Sequence, residues 1–168
     1  MKPLNVLFLC THNSARSILA EALLNDMAPG RFHAYSAGRS PRDNQQPNPR
    51  GLEVLRAAGI STEGLRSKSW DEFAAPGAPA MDLIITVCDN AAGEVCPIWP
   101  GHPATAHWGY ADPSEGEGPD DEKREAFRKT LHAIRRRLEL LIHLPADKLE
   151  KTLLQHTARE LSREAVTP

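Results

Sequence analysis

The chain has 168 residues, of which 40% are apolar and 25% charged, and its formal net charge is −2. These values predict one main folded domain with a sizeable core, and they argue against a nucleic-acid or membrane partner. No apolar run approaches the ~20 residues that span a bilayer, and the run after Lys2 is too short for a signal peptide. Three cysteines are too few for a secreted disulfide framework, so we expect a cytoplasmic protein that uses its thiols in catalysis.

The first predicted elements are a buried strand and a helix. Val6 to Leu9 form a continuous apolar run, which is typical of a buried strand, and Cys10 follows it directly. After Arg16, apolar residues recur at the spacing of a helix, at Leu19, Leu23 and Met27. A cysteine therefore stands at the carboxyl end of a strand, and a short loop carries the chain from it to the start of a helix.

The loop between these elements has the composition of an anion site. It comprises Thr11, His12, Asn13, Ser14 and Ala15. Its backbone N–H groups can turn towards one centre, where the helix start adds its positive end and Arg16 adds a forked cation. Such sites lower the pKa of a free cysteine from ~8.5 to ~3.5–7.5, and Ser17 could add a hydrogen bond to the sulfur. We therefore predict that Cys10 is a nucleophile; the alternative is a buried structural cysteine beside a solvated arginine.

Strand and helix patterns continue to alternate along the chain. A strand is predicted over Phe32 to Ala37, followed by a helix with Asn48 as its N-cap and Pro49 at its first position. Gly59 ends that helix, and a short helical piece is predicted from Ser69 through Phe73. This alternation predicts an open parallel sheet with helices on both faces.

A second apolar run, Met81 to Val87, predicts a buried strand that ends at Cys88. Ala104 to Trp108 predicts one more short strand. In open α/β sheets, ligands bind at the edge formed by the carboxyl ends of the strands. Two strands thus deliver a cysteine to the edge where chemistry is expected.

The longest predicted helix opens at Gly118-Pro119-Asp120 and is broken by Pro145. One apolar stripe at spacings of three and four predicts its buried face: Phe127, Leu131, Ile134, Leu138 and Leu141. The basic run Arg135 to Arg137 is interpreted as a solvated face of this helix rather than a binding patch.

Cys88 and Cys96 are separated by seven residues, whereas paired zinc ligands usually have about two to four between them. His102 and His107 could complete a zinc site, but the cysteine spacing argues against a metal. Two unrelated buried cysteines are another alternative. We favour a redox role, in which Cys88 attacks an adduct on Cys10 and Cys96 then attacks Cys88.

That redox role sets a geometric condition on the segment between the two cysteines. If residues 88–96 were all helix, their Cα atoms would lie ~12 Å apart at ~1.5 Å per residue. A disulfide requires a Cα separation of ~4.4–6.8 Å. The segment must therefore unwind during turnover, and Gly93 and Pro97 make it a weak helix.

The sequence CTHNSARS resembles the phosphate-binding loop (P-loop) of low-molecular-weight tyrosine phosphatases and of the arsenate reductases built on the same fold. The thioredoxin-coupled arsenate reductases also resemble this chain in the second and third cysteines and in segments like CPIWP and HWGYADP. Phosphatases share the loop and the Asp-Pro pair but lack the redox cysteines. The resemblance covers roughly residues 4–143. It favours a reductase domain over residues 1–145 and a C-terminal helical tail over 146–168.

The resemblance implies a four-stranded parallel sheet and a thiol-based reduction of arsenate. Arsenate would bind the loop and Arg16, Cys10 would attack arsenic, and Asp112 would protonate the departing oxygen. A Cys10–Cys88–Cys96 relay would then pass the oxidation to thioredoxin. No bound cofactor is required, and glutathione with glutaredoxin, or mycothiol, remains open as the reductant. Taken without the loop, Asp112-Pro113 is more readily interpreted as an ordinary Asx turn.

The resemblance also implies a monovalent cation site in some family members, formed here by Asn13, Glu21 and Ser36. The further carboxylate expected near Ser69 is not clearly in register, because Trp70 falls in its place and Asp71 stands beside it. This mismatch weakens the case for bound potassium.

Two other functions remain open at the level of the sequence. One is a small phosphomonoester or tyrosine phosphatase, which would not need Cys88 or Cys96. The other is an arsenic- or metal-binding sensor that uses the three thiols without turnover.

Overall fold

Four parallel strands form the sheet at the centre of the protein. The computed structural model describes residues 3–39, 41, 44–87, 104–114 and 118–143. The strands are β1 (Leu4–Cys10), β2 (Phe32–Gly38), β3 (Leu83–Thr86) and β4 (Ala104–His107). The helices are α1 (Arg16–Met27), α2 (Pro49–Ala57), α3 (Asp71–Ala74) and α4 (Asp120–Ile142).

The strand order is β2-β1-β3-β4, and every neighbouring pair is parallel. The end of β1 pairs with the end of β2, with Cys10 opposite Gly38. On the other side of β1, Leu9 pairs with Thr86 of β3, and Thr86 in turn pairs with His107 of β4. The four carboxyl ends therefore share one edge, which confirms the predicted open parallel sheet.

Strand β1 is buried on both faces, because its side chains alternate between two separate apolar clusters. Val6 and Phe8 pack in the larger cluster, which also contains the apolar residues of α1 and α4. Leu7 and Leu9 pack in the smaller cluster, against the aromatic side chains of Trp70 and Phe73. Helical segments thus cover both faces of the sheet, as the continuous apolar run of β1 predicts.

Helix α2 begins as predicted and is tied to the loop after β1. The Asn48 side chain accepts a hydrogen bond from the Arg50 N–H (2.9 Å), and Pro49 takes the first helical position. The backbone N–H of Asn48 donates to the carbonyl of Ser14 (2.8 Å). Capping therefore fixes the start of α2 and also holds one end of the loop that follows Cys10.

Helix α4 buries the predicted apolar stripe, but the interpretation of its basic run is wrong at Arg137. Arg136 is exposed, whereas Arg137 is only 4% exposed. Its guanidinium carbon lies 4.7 Å from the ring centroid of Tyr110 and 5.9 Å from that of Trp108. Arg137 is buried because it is three residues after Ile134 and four before Leu141, on the apolar side of the helix. In the described part of the chain, no helix is both long and apolar enough to cross a membrane.

Candidate active site

The sulfur of Cys10 lies at the end of β1, where the chain turns into the loop of residues 11–15. Cys10 is 3% exposed. Its Sγ atom is 2.8 Å from the Ser17 hydroxyl oxygen, and the backbone N–H of Asn13 donates to it at 3.2 Å. The first turn of α1 carries no acidic residue, so its positive end remains available to an anion.

The hydrogen-bond network orients the Asn13 amide and leaves the Ser17 hydroxyl hydrogen available to the sulfur. The Asn13 side-chain oxygen accepts from the backbone N–H of Lys68 (3.0 Å), which can only donate. The Asn13 amide nitrogen must therefore be the donor to Ser17 Oγ (2.7 Å). A Cys10 thiolate has no proton to give, so it accepts the Ser17 hydroxyl hydrogen. Two donors then converge on one buried sulfur, an arrangement that stabilises a thiolate.

The loop is held in shape by its packing against β2 and the segment of residues 66–68. Asn13 has a φ of 55°, in the left-handed region that asparagine tolerates. Its carbonyl accepts from the Ser67 hydroxyl (2.6 Å). A Cβ at Gly38 would lie 2.9 Å from backbone atoms of Thr11, His12 and Asn13. Only glycine allows β2 to approach the loop this closely.

Arg16 and Asp112 lie together at the mouth of the loop. One guanidinium nitrogen of Arg16 donates to the carbonyl of Tyr110 (2.8 Å), and another is 3.7 Å from an Asp112 carboxylate oxygen. The other Asp112 oxygen accepts from both the backbone N–H (2.9 Å) and the hydroxyl (2.7 Å) of Ser114. The turn after β4 thus brings the predicted acid and the predicted anion-binding cation to one place.

A polar cavity of about 430 Å³ opens beside these groups. Its walls include His12 and Ser14 from the loop, Asp112 and Ser114 from the turn after β4, and Gln45 and Gln46. The cavity is large enough for a tetrahedral oxyanion with its water, and its lining supplies hydrogen-bond partners. It therefore gives a small polar substrate access to the mouth of the loop.

Behind the loop, a buried lysine lies where the sequence predicts a cation site. Ser36 Oγ donates to a carboxylate oxygen of Glu21 (2.5 Å), and the Lys68 ammonium is 3.7 Å from that oxygen. Burial raises the pKa of Glu21 and lowers that of Lys68, and in each case the partner's charge opposes the effect. A potassium ion ~4 Å from this ammonium would meet a repulsion of ~4 kcal/mol at an effective dielectric constant of ~20. The residues present therefore do not fit a bound potassium ion.

The predicted redox cysteines, Cys88 and Cys96, and His102 of the alternative zinc set lie outside the described residues. His107 lies within them, with its Nδ1 atom 2.6 Å from the Thr86 hydroxyl. Of the residues predicted from the sequence, the structure brings Cys10, Asn13 and Ser17 together around the sulfur and places Arg16 beside Asp112. Sequence reasoning missed Gly38, Ser67 and Lys68, because no local pattern around them indicates contact with the loop.

Comparison with known proteins agrees with this geometry. The model of the low molecular weight phosphotyrosine protein phosphatase family matches residues 5–157. An arsenate reductase from Halalkalibacterium halodurans is 34% identical over 134 residues, which is 80% of this chain and 91% of that protein.

Two solved structures extend the comparison. The arsenate reductase from Archaeoglobus fulgidus is 28% identical, with a TM-score of 0.62, over 83% of this chain and 99% of that one. The thioredoxin-dependent arsenate reductase from Corynebacterium glutamicum is 27% identical, with a TM-score of 0.55, over 83% of this chain and 63% of that one.

The fold and the loop define the class: a parallel α/β protein with a buried, hydrogen-bonded cysteine between its first strand and its first helix. Within that class, the chain belongs to the low molecular weight phosphotyrosine protein phosphatase family, in the branch whose members are named arsenate reductases. The family predicted from CTHNSARS and from the later motifs is confirmed.

Proposed function

We propose that this protein reduces arsenate to arsenite, with Cys10 as the nucleophile. The observation that carries the proposal is the surroundings of the sulfur, on which the Asn13 N–H and the Ser17 hydroxyl converge. A buried thiolate beside a helix N-terminus and an arginine is suited to attack a tetrahedral oxyanion. The relatives named arsenate reductases supply the identity of that oxyanion.

In the first step, arsenate binds the loop and Arg16, and the Cys10 thiolate attacks arsenic. A sulfur–arsenic bond forms while one arsenic–oxygen bond breaks, and the departing oxygen leaves as water after it takes a proton from Asp112. The position of Asp112 supports this role, because its carboxylate lies 3.7 Å from Arg16 at the mouth of the loop. A bound oxyanion would compete for Arg16 and release Asp112 to act as the acid.

In the second step, the Cys88 thiolate attacks the Cys10 sulfur. A Cys10–Cys88 disulfide forms, the sulfur–arsenic bond breaks, and its electron pair stays on arsenic, which leaves as arsenite. The two sulfurs together lose the two electrons that reduce arsenic. The meeting of two strand ends supports this step: the backbone N–H of Val87, the residue before Cys88, donates to the carbonyl of Leu9, the residue before Cys10 (2.8 Å).

In the third step, the Cys96 thiolate attacks Cys88 and displaces the Cys10 thiolate, which leaves a Cys88–Cys96 disulfide. We propose that a thioredoxin dithiol in the cytoplasm reduces this disulfide and restores the enzyme. The named thioredoxin dependence of the Corynebacterium glutamicum relative supports this choice. Glutathione with glutaredoxin, or mycothiol, is the alternative reductant.

The test is arsenate-dependent oxidation of NADPH in the presence of thioredoxin and thioredoxin reductase. We expect turnover by the wild type and loss of at least about 10³-fold in Cys10→Ser and Cys88→Ser. Cys96→Ser should also be inactive with thioredoxin; turnover restored by glutathione or mycothiol would identify an external second thiol. Full turnover by Cys88→Ser would contradict the relay.

A phosphatase is the second candidate, because the matched family is named for that activity and the Cys10 loop, Arg16 and Asp112 would suffice for it. Hydrolysis of p-nitrophenyl phosphate distinguishes the two functions. If phosphatase is the main activity, Cys88→Ser and Cys96→Ser will hydrolyse this substrate at the wild-type rate and the wild type will not turn over arsenate.

A further inference from the structure

Lys68 and Glu21 form a largely buried pair, and neither residue lines the polar cavity. Their side chains are 7% and 13% exposed, and the ammonium nitrogen is 3.7 Å from the carboxylate oxygen. The ammonium also donates to the carbonyl of Arg66 (2.9 Å), and Ser36 donates to the same Glu21 oxygen. Arg66 itself forms a two-pronged pair with Glu72 at 3.0 and 2.6 Å, further out on the surface.

The backbone around Lys68 connects this pair to the catalytic loop. The Lys68 N–H donates to the Asn13 side chain (3.0 Å), Ser67 donates to the Asn13 carbonyl (2.6 Å), and the Lys68 carbonyl accepts from the Gly38 N–H (2.8 Å). Asn13 in turn donates to both Cys10 and Ser17. A displacement of residues 66–68 would therefore change the conformation of the loop at the residue that contacts the sulfur.

We propose that Lys68 is a positioning residue whose ammonium acts as a built-in monovalent cation. It pairs with Glu21 and, through residues 66–68, maintains the conformation of Asn13 that binds the oxyanion. The lysine is covalently part of the segment that contacts Asn13, so the loop needs no metal ion from solution. Oxyanion binding by this protein is accordingly independent of potassium. The inference rests on the proposed oxyanion site, but not on the redox steps that follow binding.

The experiment measures the binding of inorganic phosphate by titration calorimetry, at constant ionic strength in potassium chloride or in choline chloride. For the wild type we expect dissociation constants that agree within about twofold in the two salts. Lys68→Met, which removes the ammonium and keeps most of the length of an unbranched side chain, should weaken binding at least about tenfold in choline. The matched control is Lys129→Met, which removes one exposed charge from α4 and should leave binding within about twofold.

Rescue separates a cation role from a merely structural one. Lys68→Ala leaves space beside Glu21. We expect potassium or ammonium, but not choline, to raise the phosphate affinity of this variant at least about fivefold. The double variant Lys68→Ala/Glu21→Gln removes the carboxylate, and its affinity should not respond to potassium. If Lys68→Met does not fold, Lys68→Met/Glu21→Gln, which buries no unpaired charge, takes its place with the same expected loss.

Three results would overturn the inference. The first is a change of more than about fivefold in the phosphate affinity of the wild-type protein with potassium. The others are a folded Lys68→Met that binds phosphate as tightly as the wild type, and a folded Lys68→Ala whose affinity no cation restores. A wild type that binds no phosphate would overturn this inference and the oxyanion site together. A wild type that binds phosphate but does not turn over arsenate would contradict the proposed reduction and leave the role of Lys68 standing on the binding data.

Discussion

At the scale of single residues, Asn13 holds the site together. Its backbone N–H reaches the Cys10 sulfur, its amide nitrogen reaches Ser17, and its amide oxygen takes the Lys68 N–H. Because a backbone N–H cannot accept, the Lys68 contact sets the orientation of the amide, which leaves the Ser17 hydroxyl hydrogen available to a Cys10 thiolate. A hydrogen bond from a segment more than fifty residues away in the chain thus orients a side chain that contacts Ser17 beside the sulfur.

Ser17→Ala tests this reasoning at the sulfur. A hydrogen bond to a charged group contributes ~1.5–3 kcal/mol, so its loss should move the pH midpoint for alkylation of Cys10 by iodoacetamide upward by at least about one pH unit. Mass spectrometry of the peptide that contains Cys10 measures this reaction separately from the other cysteines. Ser61→Ala is the control and should not change the midpoint, because the Ser61 hydroxyl is exposed and accepts only a local hydrogen bond from the Glu63 N–H (3.2 Å). An unchanged midpoint in Ser17→Ala would mean that the serine does not donate to the sulfur.

At the scale of elements, the site depends on how closely β2 approaches the loop after β1. Cys10 and Gly38 are paired across the two strands, and the loop backbone passes directly over Gly38. Backbone atoms on three consecutive residues cannot move aside as the end of a flexible side chain can. The absence of a side chain at Gly38 is therefore a requirement of the site rather than of the sheet alone.

Gly38→Ala should displace the loop and weaken phosphate binding at least about tenfold, because the new Cβ would lie 2.9 Å from three backbone atoms. Gly51→Ala is the matched control. Its Cβ would meet Phe127 at 3.6 Å and Leu19 at 3.8 Å, which are ordinary contacts. Because alanine is favoured over glycine in a helix by ~1 kcal/mol, Gly51→Ala should bind phosphate normally and resist urea at least as well as the wild type. Equal phosphate affinity in the two variants would show that the close approach does not shape the site.

At the scale of the whole molecule, α4 connects the apolar core to the mouth of the site. The helix carries Arg137 to the rings of Trp108 and Tyr110, and the carbonyl of Tyr110 receives Arg16. The Tyr110 hydroxyl is buried next to the Arg137 guanidinium. Burial raises the pKa of Tyr110 to about 12, although the neighbouring charge of Arg137 favours the phenolate.

This shift predicts how the stability of the fold changes at alkaline pH. Between about pH 10 and 12, the folded protein keeps a Tyr110 proton that the unfolded chain releases, so the free energy of unfolding falls as pH rises. The stabilisation that the raised pKa of Tyr110 contributes amounts to ~2–3 kcal/mol; it is fully present below pH ~10 and is lost as the pH rises to about 12. Urea unfolding of Tyr110→Phe should lack this alkaline loss of stability. Tyr35→Phe should keep most of it, because burial raises the pKa of Tyr35 less than that of Tyr110. The same alkaline slope in Tyr110→Phe and wild type would contradict the assignment.

The features that the sequence predicts correctly are those encoded by neighbours in the chain. The apolar run before Cys10, the four-residue spacing after Arg16 and the Asn48-Pro49 start of α2 each produce the expected element. Hydrophobic periodicity and helix capping act over a few residues, so they can be read without knowledge of the fold. The position of Cys10 at the edge of the sheet follows from the same local patterns together with the rule for parallel sheets.

Sequence by itself thus determined the strand, the loop, the helix and the residues that face the sulfur. Only the tertiary structure decided that Arg137 is buried, that Gly38 lies under the loop and that the Lys68 ammonium lies beside Glu21. These three facts depend on contacts between segments far apart in the chain. The physical reason is that burial and charge pairing are set by which elements pack together, and no short stretch of sequence carries that information.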